Sequence, residues 1–188
     1  MIPLGPFPNA PGYDVATTAD LSDPLAHLRD GFVINEPDLI YLDGNSLGRL
    51  PRATVQLLDR VVTHEWGANL VASWGDRWWT LGREIGDLIA PLIGASPGSV
   101  TVADSTSVGL FKLAWAALNE RPNRNRIVTD DLNFPTDIYV LKSAATAAGG
   151  RQVEVVPATH PTVAPEDAII AAMTEETALV TLSHVSFK

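Results

Sequence analysis

The sequence predicts an α/β fold, a mostly parallel sheet with helices on both faces. Two observations predict it. Beyond Ser96, short apolar runs alternate with longer segments of helical period, the signature of βαβ units. Alternation at this interval signals a parallel sheet covered on both faces. The junctions after them collect small polar residues, such as Asp104-Ser105-Thr106-Ser107.

The elements follow in order. Ser99–Ala103 reads as strand, Thr106–Leu118 as helix and Arg126–Thr129 as strand. Thr136–Ala148 reads as helix ending at Gly149-Gly150, Gln152–Val156 as strand, Pro165–Met173 as helix and Ala178–Leu182 as strand. Right-handed crossovers place the loops after the strands on one edge of such a sheet, where these folds bind ligands. Asp104–Ser107, Asp131–Asp137 and Ser183–Lys188 all fall on that edge.

Upstream, Pro3, Pro6, Pro8 and Pro11 forbid regular helix and predict an extended arm over residues 1 to about 20. A short helix follows, capped by Ser22 or Asp23, with Pro24 at its first position and Leu25 and Leu28 on one face. Leu39–Leu42 is a strand-like run that ends in the turn-forming stretch Asp43–Gly48. From Pro51, the spacing of Val55, Leu58, Val61, Val62 and Trp66 is helical, and a second helix through Ile85, Leu88, Ile89 and Leu92 closes at Gly94. Four of the five tryptophans lie between positions 66 and 79; that density suits a core or a subunit interface better than catalysis. The chain divides on this reading into an arm with a short helix and an Asn-Ser turn (1–50), a helical segment (51–95) and the first part of an α/β domain (96–188).

Composition bounds the function. The 188 residues are 46% hydrophobic and 19% charged, which supports the core of an ordinary domain. Thirteen basic against 22 acidic residues leave a net charge of -9, and with no basic run this argues against nucleic acid as a partner. The absence of cysteine excludes disulfides and thiolate chemistry. No basic leader precedes an apolar stretch and no apolar run has bilayer length, so the expectation is a cytoplasmic protein without a membrane partner.

Two stretches carry the chemistry. Hydroxyls and free N–H groups at Asp104–Ser107 can hold a phosphate at a helix start, although N-capping alone uses the same residue types. Asn133-Phe134-Pro135-Thr136-Asp137 offers an aromatic face and a carboxylate one βα unit later; a Phe buried beside a proline-initiated helix reads equally well. His27, His64, His160 and His184 are scattered without metal-ligand spacing, and Asp104, Asp130, Asp131 and Asp137 read as solvated loop acids, so no metal is assigned. Ser183 and His184 are adjacent and point to opposite faces if the strand continues, which leaves little for a serine nucleophile.

Tyr41-Leu42-Asp43-Gly44-Asn45-Ser46-Leu47-Gly48, then Asp104-Ser105-Thr106-Ser107-Val108, then Asn133-Phe134-Pro135-Thr136-Asp137, in this order and at these intervals, resemble the kynureninase family. The resemblance runs from about Tyr41 to Phe187. It implies the large domain of a pyridoxal 5′-phosphate enzyme of the aspartate-aminotransferase fold (fold type I), and cleavage of L-kynurenine or 3-hydroxykynurenine to anthranilate or 3-hydroxyanthranilate and L-alanine in tryptophan degradation. It also implies a homodimer. By the same carry-over, Thr106 and Ser107 match phosphate-binding positions, and Phe134 matches the residue stacked on the pyridine ring. Pro135, Thr136 and Asp137 complete the cofactor loop, and Ser183 matches a further position near the cofactor. Asn45 and Ser46, with Trp74, match positions near the substrate.

In that fold a lysine holds the cofactor as a Schiff base and an aspartate pairs with the pyridinium nitrogen. Lys112, Lys142 and Lys188 match no such position, and the last strand has no helix after it. The expectation is therefore an amino-terminal part of a longer enzyme, inactive alone. Another enzyme of the same fold, cysteine-desulfurase-like or aminotransferase-like, and a non-catalytic module are the alternative readings.

Overall fold

The structure is a computed structural model that describes residues 12–187. It divides between Leu81 and Gly82 into two compact units.

The first unit is helical. Gly12 takes a left-handed conformation (φ 83°), and α1, Tyr13–Leu21, follows it directly. The arm expected through residue 20 is therefore helix from Tyr13 onward; its four prolines lie outside the described residues. Proline spacing was the signal for extension, and it stops at Pro11. Thr17 and Thr18, poor helix formers, turn their hydroxyls back onto the carbonyls of Tyr13 and Asp14. The short element is a 3₁₀ helix, Ala26–Gly31, which starts two residues after Pro24 and has Leu25 as its N-cap with no side-chain cap; Asp23 accepts the Leu25 N–H at 2.8 Å in the turn before it.

Leu39–Leu42 forms no strand. Arg49 donates to the Leu39 carbonyl at 3.3 Å, and the Tyr41 hydroxyl reaches the carbonyls of Asp43 and Leu47, so side chains take the place of a ladder partner. The turn at Gly44–Ser46 is present. α2, Arg52–Arg60, starts after Pro51 and runs on as a π turn, Val61–Trp66; a second π turn spans Trp74–Trp78. Glu65 ties them together. Its carboxylate accepts the Trp78 indole N–H at 2.7 Å and lies 3.7 Å from Arg60 and 3.9 Å from Arg77, while its carbonyl accepts the Ser73 hydroxyl. The tryptophans are not core: Trp66, Trp74 and Trp79 are exposed and Trp78 is half-buried.

α3, Trp79–Ile89, ends in a 3₁₀ turn, Ala90–Ile93, closed by Gly94 in the left-handed region (φ 69°), as its position predicts. Residues 99–103 do not enter the sheet. Their backbone lies against α3 instead, with the Val102 N–H bonded to the Gly82 carbonyl at 2.9 Å. A Cβ on Gly86 would lie 2.0 Å from the Val100 carbonyl oxygen, and one on Gly82 2.5 Å from that of Val102. The two glycines admit the segment, and a helix rather than a strand receives its hydrogen bonds.

The remainder follows the predicted alternation. α4 is Thr106–Glu120, β1 Arg126–Asp130, α5 Pro135–Ala147, β2 Gln152–Val156, α6 Glu166–Ala172 and β3 Thr177–Val180. The strands form a parallel sheet in the order β2-β1-β3, with Ile127 aligned to Val153 and Leu179 and Val128 to Glu154 and Val180. Alternation along each strand separates two cores. Ile127 packs with Ala114, Leu118, Leu141, Ala144 and Ala145 of α4 and α5, joined by Val153 and Leu179. Val128 packs with Val156 and Ile169, joined by Val180. α4 and α5 thus cover one face and α6 the other. The chain moves from β1 to β2 in one direction and back across β1 to β3 in the other, so crossovers of one hand require opposite faces.

Candidate functional site

The carboxyl edge of this sheet gathers the second unit's polar residues. α4 precedes β1 and packs along the sheet with 15 residues, about 22 Å of helix. Its start therefore faces the same edge as the loops after the strands. At that start, Ser105 is the N-cap, its hydroxyl accepting the Val108 N–H at 3.4 Å. Thr106 and Ser107 follow as the first two helical residues, Thr106 exposed and Ser107 half-buried. Helical geometry leaves their N–H groups without intrahelical partners and puts the positive end of the helix there. Asp104, at φ 48°, forms an ion pair with Lys112 rather than capping.

On the neighbouring loop Phe134 caps α5, with Pro135 as the first helical residue. The Phe134 ring is 50% exposed, which excludes the buried-phenylalanine reading, and it meets Phe187 edge-on with centroids 5.1 Å apart. Thr136 is exposed. Asp137 lies in the first turn of α5, its N–H bonded to the Phe134 carbonyl at 2.9 Å. Burial raises its carboxyl above its ordinary value, because desolvation penalises the charged form.

Beneath the Phe134 loop lies a polar network that spacing did not reveal. Asp130 is 4% exposed, a correction to its reading as a solvated acid. One carboxylate oxygen accepts the N–H groups of Leu132 at 2.9 Å and Asn133 at 3.0 Å. Asp131 is exposed yet committed, accepting the Ala158 N–H at 2.8 Å and so tying the loop after β1 to the loop after β2. Asn133, 3% exposed, donates to Thr129 Oγ1 and Asp130 Oδ1, each at 3.0 Å. Ser183 donates to Asn133 Oδ1 at 2.9 Å and Ser186 to the Leu132 carbonyl at 3.2 Å. β3 has ended at Val180, so Ser183 and His184 do not alternate along a strand; both are exposed, but the Ser183 hydroxyl turns inward to Asn133.

Phe134, Asp137 and Ser183 thus share one local structure, and Thr106 and Ser107 face the same edge. The residue types fit a phosphorylated flat ring: hydroxyls and unpaired helix N–H groups for a phosphate, and an accessible aromatic face for the ring. Asn45, Ser46 and Trp74 belong to the first unit. Asn45 and Ser46 are exposed in the turn, the Ser46 N–H bonding the Asp43 carbonyl at 3.2 Å. Trp74 is exposed and lies 6.3 Å from Trp79 between ring centroids. Among the described residues no group of three or more His, Asp or Glu could hold a metal ion, and no helix is long and apolar enough to cross a membrane.

No protein-family model matches the chain. Individual proteins do. It is 39% identical over 178 residues to a protein named kynureninase from Burkholderia pseudomallei (strain K96243), covering 92% of this chain and 41% of that protein. It is 40% identical over 175 residues to a kynureninase from Pseudomonas fluorescens, covering 90% of this chain and 40% of the other. Over nine tenths of its length the chain is similar to kynureninases. It spans about two fifths of the length of these kynureninase relatives, and the matched stretch includes most of the residues described above.

Proposed function

We propose that the chain forms the cofactor-binding, amino-terminal part of a kynureninase, which hydrolyses L-kynurenine or its 3-hydroxy form to anthranilate or 3-hydroxyanthranilate and L-alanine. The observation that carries this reading is Phe134, held half-exposed at the start of α5 in a chain similar to kynureninases. Pyridoxal 5′-phosphate, when bound, supplies an electron sink for cleavage of the substrate's side-chain carbon–carbon bond.

Thr106 and Ser107 hold the phosphate through their N–H and hydroxyl groups, with the α4 dipole favouring the dianion. Phe134 presents its ring to the cofactor ring, and Pro135 fixes the backbone that carries it. Thr136 and Asp137 complete the loop, where burial favours the protonated form of the Asp137 carboxyl. The resemblance to kynureninases assigns Asn45, Ser46 and Trp74, all in the first unit, to substrate binding, and the homodimer it implies suits exposed Trp66 and Trp79 as interface residues.

None of the described lysines is assigned to covalent capture: Lys112 is paired with Asp104, and Lys142 lies within α5. These residues alone therefore bind the cofactor without completing the reaction. Pyridoxal phosphate should bind the 188-residue chain in equilibrium dialysis while L-kynurenine stays intact, with no anthranilate fluorescence appearing. Absence of binding overturns the cofactor reading. Turnover at the rate of intact kynureninases overturns the division of labour.

A further inference from the structure

The acceptors around Asn133 fix which way its side-chain amide faces, and this assigns the residue a role. The Thr181 carbonyl can only accept, so the Thr129 hydroxyl, 2.8 Å away, gives its proton there. Thr129 Oγ1 must then accept from Asn133, which places the Asn133 amide nitrogen, not its oxygen, at 3.0 Å from that atom. The other amide proton goes to Asp130, shared between Oδ1 at 3.0 Å, which also accepts two backbone N–H groups, and the Asp130 carbonyl at 3.3 Å. Asn133 Oδ1 is left facing Ser183, whose hydroxyl must donate to it at 2.9 Å. The chain of donation runs from Ser183 in the loop after β3, through Asn133, to the end of β1 and back to Thr181, the residue that follows β3.

Two consequences follow. The backbone immediately before Phe134 is clamped at once to β1 and to the loop after β3, which also carries Phe187 against the Phe134 ring. The Ser183 hydroxyl, exposed at the surface, gives its proton inward to Asn133 Oδ1 and in that orientation turns lone pairs outward, as an acceptor. We propose that Asn133 is the positioning residue for the ring side of the site: through Thr129, Asp130 and Ser183 it fixes the loop that aims Phe134, and it sets Ser183 as an acceptor. This rests on the cofactor reading given above. A buried network in which every member is satisfied holds geometry in this way, and ring stacking depends on that geometry.

The test compares two probes, pyridoxal 5′-phosphate and inorganic phosphate, on the 188-residue chain. Asn133→Ala should weaken pyridoxal phosphate by about tenfold, the size of one lost buried hydrogen bond. Ser183→Ala, whose bond is only part-buried, should weaken it by about threefold to tenfold, and both should leave phosphate affinity unchanged. The induced circular dichroism of the bound cofactor should change with them. Ser183→Ala leaves the bonds of Asn133 to β1 intact, so it decides the matter if Asn133→Ala does not fold. Wild-type affinity and dichroism in the folded variants overturn the proposal, as does equal weakening of both probes, which marks a general loss of structure. Failure of the unsubstituted chain to bind pyridoxal phosphate overturns the parent reading and this proposal with it; binding that is indifferent to Asn133 and Ser183 overturns this proposal alone.

Discussion

Gly86→Ala sets two effects of opposite sign against each other at the segment that leads into the Thr106–Ser107 turn. Replacing glycine by alanine inside a helix gains about 1 kcal/mol of propensity. At Gly86, however, the new Cβ would sit 2.0 Å from the Val100 carbonyl oxygen, 2.6 Å from its carbon and 3.0 Å from Thr101 Cα. All three are backbone atoms, so no rotamer relieves the overlap, and α3 and residues 100–102 must separate by more than 1 Å to reach ordinary contact. Overpacking of this kind costs about 1–3 kcal/mol, and opening the gap strains the Val102 N–H bond to Gly82, 2.9 Å in the native chain, for about 1 kcal/mol more. The net expectation is a loss of about 1–3 kcal/mol. Gly109, in α4, is the control: a Cβ there meets nothing within 4 Å, so Gly109→Ala should stabilise by up to about 1 kcal/mol. Urea denaturation followed by circular dichroism reads both variants. A Gly86→Ala chain as stable as the native one, or a ranking of the two variants in the reverse order, would refute the close approach of α3 to residues 100–102.

Asp137 and Lys112 give two further expectations. Because burial raises the Asp137 carboxyl in the folded chain above its ordinary 3.8, the folded state holds the proton more tightly than the unfolded one. Its contribution is then fully present below that value and is lost as pH rises through the raised one. Asp137→Asn should remove this component, so native stability should fall relative to the variant as pH climbs above 3.8; denaturation midpoints that keep a constant difference across pH would contradict it. Lys112 neutralises Asp104, one residue before the N-cap. Lys112→Met should weaken phosphate binding by a few-fold, the scale of an exposed ion pair, and Lys112→Met combined with Asp104→Asn should restore it. Isothermal titration reads both, and an unrestored double variant would show that the lysine acts on the anion directly.

The sheet and its covering helices were readable because their apolar runs are answered by partners of the same kind. Gln152–Val156 keeps its predicted limits, and α4 and α5 start within a residue of where capping and Pro135 placed them. Leu39–Leu42 and Ser99–Ala103 are as apolar as those strands, yet their hydrogen bonds go to Arg49 and to Gly82. A strand exists only where a ladder partner does, and an apolar run does not name its partner. Phe134 and the Thr106–Ser107 start could be picked out because local chemistry marks them. Asp130 and Asn133 could not: an acid at a strand end defaults to solvent, and Asn133 acquires its role from Ser183, 50 residues along the chain.

The central claim is that the starts of α4 and α5 bind one phosphorylated ring at the carboxyl edge of the sheet. Amide and aromatic NMR shifts of the 188-residue chain test it most directly, titrated first with inorganic phosphate and then with pyridoxal 5′-phosphate. Phosphate should move the Thr106 and Ser107 amides alone, and pyridoxal phosphate should move these together with the Phe134 ring and the Asp137 amide. Shifts by pyridoxal phosphate that leave Phe134 unmoved, or that fall outside both helix starts, would contradict the claim.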